Sequence, residues 1–383
     1  MSGKKVFLLG NHALAKGAIA AGCNFVTGYP ITPASEVLEQ ISLEFLNYPD
    51  RVYIQMEDEI ASIAALIGAS WAGAKTMTAT SGPGFSLMQE NLSYAYMTET
   101  PLVIAVLQRS GPSTGQATLP GQQEFYQARF GAHGDYEAIV FSPWSVQEMF
   151  DLAIKSFNTS EELRHPVILL ADGEIGHMRE NMVLPDPEEI KIVNRRRPKT
   201  VPYPPFQPDE DYIPPMPLFG EGHNLLITGS SHDSNGFRNA DPELHRKNLE
   251  RMKKKVQTRI DQLTDYHSEL DPRGDAEIIL ISFGAAARPT YHAVRKLREE
   301  GIKTDFLRLR TLWPFNDKVI GSFLEGKTHA FVVEMNQGKL VREIERVGNK
   351  YGVKSVLVGK IGGVVHTSKE IIQKVHSELK KAD

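Results

Sequence analysis

The sequence contains a single cysteine, Cys23, among its 383 residues. An intramolecular disulfide is therefore excluded, and one thiolate cannot hold an iron–sulfur cluster or a cysteine-based zinc site. Any such metal centre would have to lie on another chain. A lack of cysteine pairs is typical of proteins of the reducing cytoplasm. We expect Cys23 itself to be a small buried residue.

An excess of charge and a long apolar run are also missing. Lys and Arg number 43 against 47 Asp and Glu, and a formal net charge of −4 gives no reason to expect nucleic acid as a partner. No apolar run is long enough to cross a membrane, and the N-terminal run VFLLG is too short for the core of a signal peptide. We therefore expect a cytoplasmic protein with two or three domains.

Common catalytic motifs are absent as well. The sequence has no G-x-x-x-x-G-K-[ST], no strand-borne G-x-G-x-x-G, no G-x-S-x-G and no H-E-x-x-H. The twelve histidines do not follow the spacing of metal ligands, so no metal site is predicted on this chain. His133 and His177 lie near predicted loop ends and stay open as catalytic candidates, although a lone loop histidine is more often a surface residue.

What the sequence does contain is an alternation of strands and helices. Strands are predicted at Lys5–Gly10, Phe25–Gly28, Arg51–Gln55, Thr76–Thr80, Pro101–Leu107 and Pro166–Ala171, the last of these closing the first domain. Helices are predicted at Asn11–Ala21, Ala34–Leu46, Glu59–Trp71 and Glu90–Glu99. The alternation predicts a parallel α/β sheet within residues 1–184. The connection Gln108–Tyr136 reads as one long loop, and loops of that length are usually functional or disordered.

Composition changes after residue 184. Ten prolines between Pro185 and Pro217 predict an extended connection, and a charged amphipathic helix is predicted at His245–Tyr266, so that residues 185–273 form a separate segment. The basic run Arg195–Arg197 is expected to be solvated. From residue 274 to 383 the alternation returns, with Lys303–Leu312 as one strand, and predicts a smaller α/β domain.

One stretch, Gln55–Met88, joins an acidic turn, a helix rich in Ala and Gly, a strand and a Ser-Gly-Pro-Gly loop. Glycines allow the backbone to approach a ligand closely. A carboxylate at Glu59, at the start of the helix and near that loop, suggests a cofactor site. On spacing alone, an ordinary acidic first turn that the helix dipole favours explains it equally well.

Three motifs in order carry a family resemblance: GYPITPASE (Gly28–Glu36), the stretch Gln55–Met88, and QRSGPSTG (Gln108–Gly115). Together they resemble the α subunit of the thiamine-diphosphate-dependent 2-oxoacid:ferredoxin oxidoreductases. The resemblance continues through Thr228–Gly236, Leu307–Phe315 and Val332–Leu340, and so covers nearly the whole chain. It implies a pyrimidine-type thiamine-diphosphate-binding parallel-sheet domain, followed by a smaller α/β domain that is similar to the transketolase C-terminal domain.

The resemblance also implies residue roles. Glu59 matches the glutamate that contacts N1′ of the cofactor's aminopyrimidine and tunes its acid–base chemistry; Glu57 and Asp58 are neighbours, but the register of the helix favours Glu59. Thr32 matches a threonine near the carboxylate or keto oxygen of the substrate, with helix capping as the alternative. Arg109 matches the arginine that clamps the 2-oxoacid carboxylate, with an exposed strand-end charge as the alternative.

The same resemblance implies a set of cofactor contacts. These are expected from the turn before Thr32 and from the backbone of the glycine loop, at Pro30, Ile31, Ser81, Gly82, Pro83 and Gly84. The Gly-Asp-Gly segment with a later asparagine, which binds diphosphate and Mg²⁺ in thiamine enzymes, is missing. A β subunit is therefore expected to supply the diphosphate and Mg²⁺ site and the [4Fe–4S] clusters, within a complex that has separate γ and δ subunits or is a simpler αβ assembly.

The implied reaction converts a 2-oxoacid, coenzyme A and oxidised ferredoxin into acyl-CoA, CO₂ and reduced ferredoxin. The Gly-Pro-Ser-Thr-Gly loop resembles the 2-oxoglutarate branch. Branched-chain 2-oxoacids, pyruvate and aryl-pyruvates stay open as substrates. A non-catalytic scaffold subunit with the same fold stays open as an alternative function.

Overall fold

The computed structural model describes residues 3–381 as an α/β structure with three sheets. The strands are β1 (Gly3–Leu9), β2 (Phe25–Gly28), β3 (Val52–Gln55), β4 (Thr76–Thr80), β5 (Leu102–Ser110), β6 (Gln116–Pro120), β7 (Ile139–Phe141), β8 (Pro166–Asp172), β9 (Arg179–Pro185), β10 (Tyr266–Glu269), β11 (Ile278–Phe283), β12 (Thr304–Leu309), β13 (Thr311–Trp313), β14 (His329–Glu334) and β15 (Lys354–Gly359). The helices are α1 (Gly10–Ala20), α2 (Ser35–Phe45), α3 (Glu59–Trp71), α4 (Gly82–Leu87), α5 (Gln89–Met97), α6 (Phe125–Phe130), α7 (Val146–Leu163), α8 (Gly173–His177), α9 (Pro242–Gln257), α10 (Ile260–Leu263), α11 (Ala287–Glu299), α12 (Asp317–Leu324), α13 (Leu340–Gly348) and α14 (Ser368–Leu379).

The first sheet has the strand order β13-β7-β8-β5-β4-β2-β3, and β6 adds to β5 outside this path. Strands β7, β8, β5, β4, β2 and β3 are all parallel. The apolar side chains of α1, α2 and α7 cover one face, and those of α3, α5 and α6 cover the other. Coverage of both faces explains why β4, β5 and β8 are buried along their whole length.

The second sheet has the order β10-β12-β11-β14-β15, parallel except for the edge strand β10. Helices α11 and α14 pack on one face, and α12 and α13 on the other. The predicted fold class, a parallel-sheet domain with a smaller α/β domain, is confirmed. The predicted division at residues 184 and 273 stays a prediction.

Several predicted elements differ from the structure. Strand β1 lies outside the parallel sheet and pairs antiparallel with β9. Because β9 follows Pro166–Ala171 in the chain, Pro166–Ala171 is not the last strand of this region. The position of β1 is set by its hydrogen bonds to β9. The pattern of apolar residues along a strand does not show which strand it pairs with. The predicted long helix ends at Gln257, and residues 260–269 form α10 and the edge strand β10 instead.

The predicted single strand Lys303–Leu312 is divided between the two sheets. Strand β12 belongs to the second sheet, whereas β13 pairs antiparallel with β7 of the first. Next to this crossover, the buried Arg308 guanidinium donates two hydrogen bonds, of 2.6 and 2.7 Å, to the Glu148 carboxylate at the start of α7. Arg308 also stacks 4.1 Å from the centre of the Trp144 ring. The two sheets are therefore held together by the continuous segment from β12 into β13 and by a buried ion pair.

The prediction that Arg195–Arg197 is solvated is wrong for its first residue. Arg195 is buried, pairs with the equally buried Glu161, and donates to the carbonyl oxygens of Ser70 and Ala74 at 2.7 Å each. It thereby attaches the proline-rich segment to the end of α3. Arg196, by contrast, has a side chain that is 43% exposed and pairs with Asp209 on the surface.

Two further features concern the single cysteine and the length of the apolar helices. Cys23 is buried, as predicted, and burial raises the pKa of its thiol to about 12. Across residues 3–381, the structure has no helix both long enough and apolar enough to cross a membrane.

We predict that Arg195→Ala lowers the free energy of unfolding by about 3–5 kcal/mol, because it leaves the Glu161 carboxylate buried without its cation. The matched control, Arg196→Ala, removes two surface ion pairs, with Asp209 and Asp211, and should cost about 0–1 kcal/mol for each. Urea unfolding of the purified chain, followed by circular dichroism, measures both. Equal losses for the two variants would contradict this role of Arg195.

Candidate active site

The candidate site lies at the carboxyl edge of the first sheet, where ligands of parallel α/β proteins bind. An open pocket of about 810 Å³ extends from there to the second domain. Its first-domain wall includes Gly82, Pro83, Arg109, Gln123 and Glu124, and its second-domain wall includes Asn336, Gln337 and Lys339. The sequence segment Gln108–Tyr136, predicted as a loop, supplies part of this wall but contains β6 and α6, so that prediction is wrong.

Arg109 is buried inside strand β5, not exposed after its end. Its side chain is 5% exposed, and Nη1 donates a hydrogen bond of 2.8 Å to the carbonyl oxygen of Thr32. Its Nε atom is buried and has no partner among the described residues. The alternative of an exposed strand-end charge is therefore wrong, and the guanidinium retains a donor for a ligand.

Thr32 lies half-buried in the turn between β2 and α2. Helix α2 begins at Ser35 with Ala34 as its N-cap and no side-chain cap, so the capping alternative for Thr32 is wrong. The structure brings the backbone of Thr32 to Arg109. The neighbouring residues Pro30 and Ile31 are exposed and half-buried, respectively, and do not line the pocket.

Glu59 is the first residue of α3, and its carboxyl is close to the glycine loop. A Cβ atom built on Gly84 would lie only 2.2 Å from Glu59 Oε1 and from Thr80 Oγ1, so any larger residue at position 84 would force these side chains to move. Glu59 is 5% exposed, and burial, reinforced by the neighbouring Asp58 charge, raises the pKa of its carboxyl. Asp58 caps the helix by accepting from Ala61 N at 2.7 Å. Of the three neighbouring carboxylates, Glu59 therefore contacts the loop.

The Ser-Gly-Pro-Gly segment is not the open loop that the sequence predicts. It begins the short helix α4, for which Pro83 supplies the fixed φ of a first turn. Ser81 precedes the helix without a side-chain cap, and its buried Oγ has no partner among residues 3–381. A Cβ on Gly82 would lie 2.5 Å from Glu124 Oε1. Each glycine of this segment is thus packed against a carboxyl group.

Glu124 is a site residue that the sequence interpretation missed. It is 7% exposed, lines the pocket, and has a buried Oε2 atom without a partner in the described part of the chain. Burial raises the pKa of its carboxyl to about 7. The available signal was an acidic residue immediately before the apolar run that forms α6.

Behind this wall lies a buried polar junction centred on Asp172, at the carboxyl end of β8. Gln108 Nε2 donates to Asp172 Oδ1, and Gln122 Nε2 to Oδ2, both at 3.1 Å. The backbone N–H of Ala285, in the second domain, also donates to Oδ2. Burial raises the pKa of the Asp172 carboxyl to about 7. A Cβ on Gly284 would lie 2.2 Å from Oδ2, so the absence of a side chain at Gly284 lets its backbone lie against the Asp172 carboxyl.

The junction extends to both walls of the pocket. Gln122 exchanges hydrogen bonds with the second domain, its Oε1 accepting from Met335 N at 2.9 Å and its carbonyl oxygen accepting from Asn336 Nδ2 at 2.7 Å. Gln108 Oε1 accepts from the backbone N–H of Glu124 at 3.2 Å. The position of Glu124 is therefore set by the same polar network that joins the two domains.

The two histidine candidates lie elsewhere. His133 is exposed in a separate cavity that also includes Tyr96 and His165, and His177 is exposed and pairs with Glu36 at 3.3 Å. Neither lines the pocket. In the described range 3–381, no three His, Cys, Asp or Glu side chains are grouped so that they could hold a metal ion.

Comparison with solved structures identifies the fold class. A split-gene transketolase, an inactive β4 tetramer, superposes with a TM-score of 0.56 over 97% of this chain and 98% of that one, at 12% identity. A 2-oxoglutarate:ferredoxin oxidoreductase from Magnetococcus marinus, solved with 2-oxoglutarate, coenzyme A and succinyl-CoA bound, superposes with a TM-score of 0.91 at 32% identity. This superposition covers 98% of the present chain and 65% of the Magnetococcus marinus chain. The fold is thus of the transketolase type.

Sequence comparison then gives the family. The model for pyruvate flavodoxin/ferredoxin oxidoreductase, thiamine-diphosphate-binding, matches residues 16–251, and that for pyruvate:ferredoxin oxidoreductase core domain II matches residues 276–371. The 2-oxoglutarate synthase subunit KorA of Methanocaldococcus jannaschii is 48% identical over 96% of this chain and 98% of its own length. The ketoisovalerate oxidoreductase subunit VorB of Methanothermobacter marburgensis is 34% identical over 96% of each chain. The chain belongs to the 2-oxoacid:ferredoxin oxidoreductase family, as an α-type subunit.

The residues present are compatible with the aminopyrimidine half of thiamine diphosphate. Glu59 supplies a buried carboxyl, Gly84 lets the backbone lie against that carboxyl because it has no Cβ, and Ser81 Oγ is a buried polar atom without a partner in the described range. These groups combine a hydrogen-bonding carboxyl with close backbone approach. Such a surface suits a flat heterocycle that carries ring nitrogens.

We predict that Gly84→Ala destabilises the chain by about 1–3 kcal/mol, because the new methyl group forces Glu59 and Thr80 to move. The control Gly68→Ala lies on α3, where a Cβ meets nothing within 4 Å, and should stabilise the helix by up to about 1 kcal/mol. Thermal unfolding of the isolated chain measures the two shifts. A Gly84→Ala variant as stable as wild type would contradict the contact between Glu59 and Gly84.

Proposed function

We propose that this chain is the α subunit of a 2-oxoglutarate:ferredoxin oxidoreductase. The complex would convert 2-oxoglutarate, coenzyme A and oxidised ferredoxin into succinyl-CoA, CO₂ and reduced ferredoxin. The single observation that carries the proposal is Arg109, a buried cation that lines the pocket beside the glycine segment and, within residues 3–381, forms no ion pair. A buried guanidinium without a carboxylate partner is suited to bind the carboxylate of a substrate.

The choice of 2-oxoglutarate among 2-oxoacids is supported by relatives. The subunits named 2-oxoglutarate synthase KorA share 45–48% identity with this chain in two methanogens, against 34% for a ketoisovalerate subunit. The neighbouring structure that holds 2-oxoglutarate and succinyl-CoA belongs to the same family. Branched-chain 2-oxoacids are the second candidate substrates, because the ketoisovalerate relatives match over the same length.

Thiamine diphosphate, when bound, supplies the carbon nucleophile and accommodates the electrons that decarboxylation leaves behind. In this proposal the Glu59 carboxyl holds the hydrogen bond to N1′ of the aminopyrimidine, and the backbone of Ser81–Gly84 lines one side of that ring. Arg109 orients the carboxylate of the 2-oxoacid. Its bond to the Thr32 carbonyl fixes the guanidinium, and thereby brings the turn that contains Thr32, Pro30 and Ile31 to the site.

The remaining parts of the site belong to partners in this proposal. A β subunit supplies the residues for the diphosphate and Mg²⁺ and the [4Fe–4S] clusters, since this chain has one cysteine and no Gly-Asp-Gly segment. Ferredoxin accepts the electrons, and separate γ and δ subunits complete the complex unless it is a simpler αβ assembly. We place the complex in the cytoplasm.

We expect Glu59→Gln to lower kcat of the co-expressed complex by about 100-fold or more, because carboxyl groups in acid–base roles contribute on that scale. The assay follows viologen reduction with 2-oxoglutarate and coenzyme A, and repeats it with pyruvate and ketoisovalerate. Glu57→Gln removes an exposed neighbouring carboxylate and serves as the control, with unchanged kcat. Full activity of Glu59→Gln with every 2-oxoacid would instead support a scaffold subunit.

Arg109→Met should reduce kcat/KM for 2-oxoglutarate by about 10- to 100-fold, since hydrogen bonds to a charged group contribute roughly 1.5–3 kcal/mol. Arg109→Lys keeps the charge but loses the forked geometry of the guanidinium. Its kcat/KM should therefore lie between the values of the wild type and of Arg109→Met. Steady-state kinetics at several 2-oxoglutarate concentrations separates KM from kcat. An unchanged kcat/KM in Arg109→Met would remove this residue from substrate binding.

A further inference from the structure

The pocket is lined by a carboxyl group, Glu124, that the roles above leave unused. Its carboxyl faces Gly82, just as the Glu59 carboxyl faces Gly84 on the other side of Pro83. Two carboxyl groups in different surroundings beside one ligand pocket are a common arrangement for separate acid–base tasks. Glu59 does not line the open pocket, whereas Glu124 and Arg109 both do.

The surroundings of Glu124 favour its neutral, protonated form. Within residues 3–381 it forms no ion pair, and its Oε2 atom is buried without a hydrogen-bond partner. The carboxyl accepts hydrogen bonds from the backbone of Gln123 and Glu124. Burying a carboxylate with one unpartnered oxygen is still costly, so the proton is retained. The charged groups that act on it are Arg109 on β5, Lys339 before α13 and Asp172 at the end of β8. Burial outweighs the two cations and raises the pKa of the carboxyl to about 7.

The charge of the substrate points to the same protonation state. A 2-oxoacid bound by Arg109 carries a carboxylate, which an ionised Glu124 in the same pocket would repel. A neutral carboxyl can instead donate a hydrogen bond. The keto oxygen, on the carbon next to the bound carboxylate, is an acceptor that such a substrate offers in the pocket that Arg109 and Glu124 both line.

We propose that Glu124 is a catalytic acid of this pocket, which gives its carboxyl proton to the keto oxygen of the 2-oxoacid that Arg109 holds. The proposal rests on the proposed function of the chain. It adds a residue that touches the reacting carbonyl and that none of the motif-based roles includes. The 2.5 Å separation expected between a Cβ on Gly82 and Glu124 Oε1 explains why the first residue of α4 is glycine.

The proton balance is closed by the overall reaction. When the keto carbon is attacked, the carbonyl π electron pair moves to oxygen, and that oxygen takes the proton from Glu124, leaving Glu124 as a carboxylate. After CO₂ has left and the acyl carbonyl forms again, two electrons leave toward ferredoxin in one-electron steps and the hydroxyl proton returns to Glu124. The coenzyme A thiol gives its own proton to solvent when its sulfur bonds to the acyl carbon. No oxidant beyond ferredoxin is required.

A pH dependence follows from the protonated form being the active one. The group acts as an acid below its pKa of about 7 and loses this ability as pH rises through that value. In the wild-type complex, kcat/KM for 2-oxoglutarate should therefore fall on the alkaline side of about pH 7. The pH dependence of kcat/KM reports the pKa values of groups in the free enzyme.

The test uses the co-expressed complex and the variants Glu124→Gln and Glu174→Gln. Glu124→Gln keeps a hydrogen-bond donor but has no proton to transfer, so kcat should fall by about 100-fold or more while KM changes little, and the alkaline limb should disappear. Glu174→Gln removes an exposed carboxylate at the same edge of the sheet and should behave as wild type. If the Glu124 carboxyl had only a structural role, the isosteric Glu124→Gln variant would have a normal kcat.

The outcomes separate the two proposals. An inactive wild-type complex contradicts the proposed function and the role of Glu124 with it. An active wild type, together with normal kcat and an unchanged alkaline limb in Glu124→Gln, contradicts the role of Glu124 alone. If Glu124→Gln fails to assemble, Glu124→Ala decides, because it also has no carboxyl proton: wild-type kcat with an unchanged alkaline limb overturns the proposal, and a loss of kcat together with the limb supports it.

Discussion

The fold and the site depend on the hydrogen bonds of one buried carboxyl, Asp172. It lies where the carboxyl edges of the two sheets meet, and every group that bonds to it belongs to a segment that lines or supports the pocket. In a low-dielectric interior such bonds cannot be exchanged for water, so the network has to be complete for the two sheets to pack together. The same requirement places Gln122, and through Gln108 the backbone of Glu124, at fixed positions.

A site built in this way relies on backbone approach more than on many side chains. Glycine at positions 82, 84 and 284 lets a carboxyl group sit against the main chain in each case. The carboxyls of Glu124 and Asp172 are consequently buried and retain protons to higher pH than usual, because burial raises the pKa of both groups to about 7. Arg109 is the opposite charge in this arrangement. Its guanidinium is fixed in place by the bond to Thr32. It supplies the positive charge to which an anionic substrate can bind, beside carboxyl groups that retain their protons.

Local sequence patterns predicted the helix Glu59–Trp71 and the strand Thr76–Thr80 with their observed bounds, because a capped helix and a buried strand are determined by neighbouring residues. Long-range pairing was not predictable in this way. The exchange of β13 into the first sheet, the pairing of β1 with β9 and the burial of Arg195 all depend on residues distant in sequence. For the same reason Glu59 and Arg109 emerged from motifs, whereas Glu124 became visible only when Gly82 was brought beside it.

The central claim is that this chain carries half of a thiamine-diphosphate site, with the pyrimidine side formed by Glu59 and the Ser81–Gly84 segment. Calorimetric titration of thiamine diphosphate and Mg²⁺ into the isolated chain, and into its complex with the β subunit, tests this most directly. We expect tight, saturable binding to the complex and none to the chain alone. Equally tight binding to the isolated chain would contradict it.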